Sequence, residues 1–205
     1  MLRRYLVAFL ALTSIFATPA LADDASKDSS KAPAGAYKLE TSHSQIVFSI
    51  LHIGLTDFYG RFDKLSGTLN YNPAAPEHSA VSIAIDTTSI DTPSSRLNDE
   101  LKNSIFDTAH FPGATFKSTS IKRTGPDTGQ ITGDLTIRNV TKPVTLDVTF
   151  TGTESNPLDN SRVLGFHATA TIKRTDFGMT GMVWEPLVGD DIKLIIEAMF
   201  QRESD

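Results

Sequence analysis

ITGDLTIRNVTKPVTLDVTF, residues 131–150, decides how this chain is read. Ile131, Gly133, Leu135 and Ile137 alternate with Thr132, Asp134, Thr136 and Arg138. After a short connection, about Asn139 to Lys142, Val144, Leu146, Val148 and Phe150 alternate with Thr145, Asp147, Thr149 and Thr151. A period of two puts apolar groups on one face of a strand and polar groups on the other. Two such runs on so short a link predict an antiparallel hairpin, with Asn139 as the left-handed turn residue because Asn tolerates positive φ.

The same alternation recurs in Ile46, Phe48 and Ile50 and in Val81, Ile83 and Ile85. Further strands are expected at about 58–71, 114–122, 162–173 and 191–201. About eight antiparallel strands in one all-β chain suit a closed barrel or a sandwich. Gly60, Gly67, Gly133 and Gly165 fall inside strand patterns, where glycine marks bends or close backbone approach and leaves interior space. One segment departs from the pattern. Thr92 can cap, Pro93 fits a first helical turn, and Leu97, Leu101 and Ile105 repeat every four residues, so a short helix is expected from about Pro93 to Asn103. Ser89, Asp91, Thr92 and Ser94 read as shaping the turn into it.

The first 22 residues read as a cleaved secretory signal: Arg3 and Arg4, an apolar run from about Tyr5 to Phe16, then Ala20-Leu21-Ala22. That run is shorter than the ~20 apolar residues of a spanning helix, so the mature chain is expected in the periplasm without a transmembrane segment. Residues 23–36, rich in Ser, Lys, Asp, Ala and Pro, are expected to be a flexible linker, and 37–205 a single domain. With no cysteine, neither a disulfide, a thiolate metal site nor a lipid-modified cysteine anchor is expected. Losing Arg3 and Arg4 leaves 17 basic against 24 acidic residues, a net charge of −7. That balance argues against nucleic acid and against attachment to anionic lipid heads.

Enzyme signatures are missing: no nucleophile elbow, phosphate loop, dinucleotide fingerprint or H-E-x-x-H is present. His43, His52, His78, His110 and His167 are nowhere spaced as i, i+2 or i, i+4, so no local metal site is expected. Phenylalanine dominates the aromatics, with 12 copies against a single tryptophan, Trp184. An eight-stranded barrel can fill its interior with such side chains or leave room for one small ligand, and the sequence does not separate the two.

His43-Ser44, Leu51-His52-Ile53-Gly54, Ser89-Ile90-Asp91-Thr92, Phe106-Asp107, Phe111-Pro112 and the Gly133–Val144 hairpin follow one another in an order that resembles the YceI-like family. Asp176-Phe177-Gly178-Met179 and Val188-Gly189-Asp190-Asp191 extend the likeness to the C-terminal strands. The resemblance implies a lipocalin-like antiparallel barrel of periplasmic proteins that hold a polyisoprenoid in an apolar interior. On that footing the chain is expected to be a carrier of an isoprenoid-type lipid, such as a polyisoprenoid, an isoprenoid quinone or its precursor, with no cofactor and no catalytic residue. Other long-chain amphiphiles fit the same interior, and a homodimer is compatible with the sequence. An envelope stress protein with a filled barrel, acting through protein contacts, is the competing reading, and a lipid-modifying enzyme a third.

Alternation places Phe48, Phe62, Ile83, Phe116, Leu135, Leu146 and Phe166 on the interior wall. For a polar head group at the mouth, the candidates are His52 at the end of the first strand, Arg96 on the helix and Arg174 after the strand ending near Lys173. Glu100-Leu101 stands where many relatives carry His-Leu, which puts a carboxylate near the same opening.

Overall fold

The computed structural model describes residues 25–203; the expected signal, 1–22, the first two linker residues and the last two residues lie outside that range. Ten strands follow in order: β1 (Gly35–His52), β2 (Thr56–Phe62), β3 (Leu65–Tyr71), β4 (Ala80–Asp86), β5 (Ile90–Asp91), β6 (Gly113–Arg123), β7 (Thr128–Ile137), β8 (Val140–Ser155), β9 (Arg162–Lys173) and β10 (Val188–Arg202). All pair antiparallel, and β10 returns to β1, which closes the sheet. The stretch 58–71, expected as one strand, breaks at Asp63 and Lys64. There the backbone leaves the ladder and is taken up by Ser89, whose carbonyl accepts from Asp63 N and whose Oγ accepts from Lys64 N. β2 pairs with the second half of β1 and β3 with its first half, while β5 and β4 pair with β2 and β3 in turn. Each couple fills one position, so the wall is an eight-stranded barrel, and among the described residues the unpaired side left at the end of the strand order belongs to the two-residue β5, too short to template aggregation.

The His43-Ser44 phrase marks a break in the closing seam. Between Glu40↔Met199 and Gln45↔Glu197, β1 carries extra residues with no partner on β10. Ser44 repairs the ladder with its side chain: Oγ donates to Glu40 O at 2.6 Å and accepts from Met199 N at 2.9 Å. The 131–150 hairpin is tighter than expected. Ile137 pairs with Val140, and the left-handed residue is Arg138 (φ 56°) rather than Asn139. Arg138 is held there from outside the turn, since its guanidinium lies 5.8 Å from the Phe111 ring and donates to Ile105 O.

The inserted helix begins later than expected. Ser94, not Thr92, is the cap, accepting from Leu97 N, and α1 spans Ser95–Glu100 before a π-turn over Leu101–Ile105. Thr92 is buried ahead of it and bonded to Asn98 Oδ1 at 2.7 Å, while Asn98 Nδ2 donates to Asp91. The Asp91-Thr92-Ser94 cluster therefore builds the helix entry.

One end of the barrel is plugged. Phe166 packs edge-on against Tyr71, Phe150 and Phe200 with ring centroids 5.4–6.2 Å apart, and Tyr37 meets Tyr71 in the same way. The segment expected to be a flexible linker closes this end from below. Ser26 bridges to Thr153, Ala32 is buried, Tyr37 Oη donates to Pro33 O at 2.7 Å and Tyr71 Oη to Ser29 O at 3.2 Å. Composition misled here because the anchors are mostly backbone groups, with one methyl and one hydroxyl, and these carry little hydropathy signal. Burial pushes both phenols above their ordinary pKa, so they remain donors over the physiological range.

Candidate functional site

Above the plug the interior is open: a cavity of about 390 Å3 lies within the ~300–1,000 Å3 range of small-molecule sites. Its wall is aliphatic and aromatic. Ser44, His52, Arg174, Glu197 and the indole of Trp184 are the lining residues with polar nitrogen or oxygen side-chain atoms. His52 is also the one lining residue that is exposed, so the cavity opens beside the β1–β2 turn.

All seven residues assigned to the interior by alternation lie on this wall. Ile83, Phe116 and Leu135 form one row across β4, β6 and β7. Phe48 and Phe62 lie 5.7 Å apart on the opposite side, and Phe166 is at once wall and plug. The in-strand glycines explain how bulky rings leave a void. A methyl on Gly60 would sit 2.3 Å from Phe48 Cζ, and one on Gly133 would sit 2.5 Å from Phe116 Cζ. The tip of each ring therefore lies against a glycine, inside the space where a side chain would be. Glycine contributes room at the wall, which a ring occupies, and also the close backbone approach expected of it, since a Cβ on Gly133 would lie 2.5 Å from Lys117 O and one on Gly67 2.7 Å from Ser82 O.

The mouth candidates part company. His52 borders the opening. Arg96 is exposed on α1 and is not among the lining residues, because the helix turns Leu97 and Leu101 inward and Arg96 away. Arg174 is 7% exposed and already engaged, so it is a structural staple rather than a free head-group receptor. Its Nε donates to Gly189 O at 3.1 Å, and its Nη1 donates to Met179 O at 2.8 Å and to Glu185 Oε1 at 3.0 Å. Glu185 in turn accepts from Gly181 N at 2.6 Å, and that bond together with Arg174 holds its carboxyl below the usual range.

These bonds fold residues 178–187 over the opening, with Met179, Met182 and Trp184 facing the cavity. From the opposite rim the Trp184 indole N–H donates to the Glu100 carboxylate. Glu100 therefore faces a protein partner, and it ties the helix to the loop across the mouth. Sequence reasoning missed this roof; its signal was a Gly178–Trp184 run holding two methionines, the single tryptophan and no charge. Among the described residues no three His, Asp or Glu side chains converge as a metal site. The His43–Glu40 and His110–Asp107 pairs are local contacts three residues apart on exposed segments.

The YceI-like domain model matches residues 37–200, the barrel wall except the first two residues of β1 and the last two of β10. This chain belongs to the YceI-like family. Protein YceI of Escherichia coli O17:K52:H18 is 40% identical over 151 residues, covering 72% of this chain and 78% of that protein. Among solved structures, Burkholderia cenocepacia BcnA superposes with a TM-score of 0.71 at 24% identity, covering 78% of this chain and 98% of that one. A polyisoprenoid binding domain from Saccharophagus degradans gives a TM-score of 0.63 at 16% identity, covering 83% of this chain and 100% of that one. At those identities the two structures establish the shared barrel. In YceI-like terms, the collinear phrases of the sequence are the kink of β1, the turn beside the opening, the helix entry and the roof.

Proposed function

We propose that this YceI-like protein is a periplasmic carrier or reservoir for an isoprenoid-type lipid held in the barrel. The observation that carries the reading is the cavity: about 390 Å3, open beside His52 and lined almost wholly by apolar groups. Such a wall offers few directional partners to a polar metabolite, whereas an apolar chain gains about 25 cal/mol for each Å2 taken out of water. Branched methyls suit a surface of Ile, Leu and Phe, and the methionines of the roof adapt to chain shape. The described polyisoprenoid binding domain of the same fold supports the ligand class. A periplasmic site of action rests on the N-terminal signal pattern. The competing filled barrel is disfavoured by the open upper half.

Purified mature protein extracted with organic solvent and analysed by mass spectrometry tests this directly. A stoichiometric long-chain isoprenoid or isoprenoid quinone supports the reading. A clean extract from protein purified without detergent contradicts it.

A further inference from the structure

The opening is rimmed by aliphatic side chains that face water. Leu55 is 76% exposed and Val183 99%, with Leu51, Ile53 and Leu187 beside them. Two loops carry them, Leu51–Thr56 and Gly178–Leu187, joined where Ile53 N donates to Leu187 O at 2.6 Å. Neither 51–56 nor 178–184 contains Asp, Glu, Lys or Arg, in a chain where 21% of residues are charged and the net charge is −5. The turn is also kept at a cost. Ile53 sits at φ 44°, a left-handed conformation that a β-branched residue avoids and that Asn would adopt readily. A backbone held against its side chain's preference, at the lip of a binding cavity, is where function is expected.

We infer that this rim is a docking surface for an uncharged or zwitterionic lipid bilayer, through which the cavity loads and unloads; the inference rests on the lipid-carrier reading above. An apolar chain cannot cross water freely, and the rim lets the mouth meet the bilayer without exposing the chain. The uncharged stretches 51–56 and 178–184 on an acidic protein fit a surface without negative charge, since an anionic one would repel the rest of the molecule. A second copy of the chain fits poorly. The five side chains stand on two adjoining loops beside the cavity mouth, whereas a stable protein interface has its fully desolvated core at the centre.

Flotation with phosphatidylcholine vesicles tests the inference, using wild type, Leu55→Ser/Val183→Ser and Ile53→Asn. All three positions are more than half exposed, so folding is preserved, and Ile53→Asn also relieves the turn. Expected is vesicle association by wild type that falls at least tenfold in both variants, with less lipid in their organic extracts and an unchanged circular dichroism spectrum. Equal association in all three, or none in any, overturns the docking surface whether or not lipid is retained. Rim-dependent association by a protein that yields no lipid overturns the carrier reading and leaves the docking surface standing. A dimer in light scattering that the rim variants abolish, without vesicle association, assigns the rim to a second copy and overturns the inference.

Discussion

Placing a methyl group on Gly60 or Gly133 separates room for the ligand from strength of the wall. On Gly60 the three nearest atoms all belong to the Phe48 ring, at 2.3, 2.9 and 2.9 Å. An ordinary contact starts near 3.4 Å, so the ring must retreat by about 1 Å, and the space behind it is the cavity. Displacing a side chain from its rotamer costs about 0.5–1.5 kcal/mol, so Gly60→Ala should lower unfolding free energy by ~1 kcal/mol while sharply reducing ligand retention. On Gly133 the methyl meets Lys117 O at 2.5 Å as well as Phe116 Cζ. A ladder carbonyl on a neighbouring strand cannot swing away, so Gly133→Ala should cost more, about 1–3 kcal/mol. Urea unfolding and mass spectrometry of organic extracts read the two effects separately. Adding Phe48→Ala to Gly60→Ala should restore retention, a non-additivity expected only of groups in direct contact. Equal and purely destabilising effects of the two glycine variants, with ligand occupancy unchanged in the folded fraction, would refute the reasoning.

Arg174→Ala should release the roof: hydrogen exchange at 178–189 rises, stability falls by about 1.5–3 kcal/mol for the lost charge-assisted bonds, and charged and neutral lipids lose retention equally. Arg96→Ala, altering an exposed residue outside the cavity wall, should leave retention of either lipid within error; selective loss of a charged lipid would restore it as a head-group contact. The plug should be sensitive to alkali. Tyr37 and Tyr71 have raised pKa values in the fold, so their contribution is complete below the ordinary phenol pKa of ~10 and is lost as pH rises through the folded values. Tyr37→Phe should cost about 1 kcal/mol at neutral pH, through the lost bond to Pro33 O, and should flatten the decline above pH 10 seen by circular dichroism.

Alternation carried much of this architecture into view. Because a strand's side chains obey a strict period of two, the parity of Ile83, Phe116 and Leu135 was readable residue by residue, and the same parity extends to Ile131, Val144 and Ile192 on the wall. What the period does not encode was misread. Arg138 takes the turn position preferred by Asn because contacts from 105–111 hold it, and the break at Asp63 depends on Ser89, distant in sequence. Residues 25–36 looked unanchored because they bind through carbonyls to two tyrosine hydroxyls. Arg174 read as a head-group contact, yet its partners at Met179, Glu185 and Gly189 exist only once the roof has folded. The division of the barrel into plug and cavity was equally hidden, since phenylalanine fills space in one half and frames it in the other.

The central claim is that the upper barrel holds one apolar chain. Native mass spectrometry of the mature protein, purified without detergent from its own host, measures this most directly. The expected spectrum has a dominant species heavier than the polypeptide by the mass of one isoprenoid-type lipid, shifted toward the bare chain in Gly60→Ala. A spectrum showing only the bare polypeptide, with wild type and Gly60→Ala alike, would contradict it.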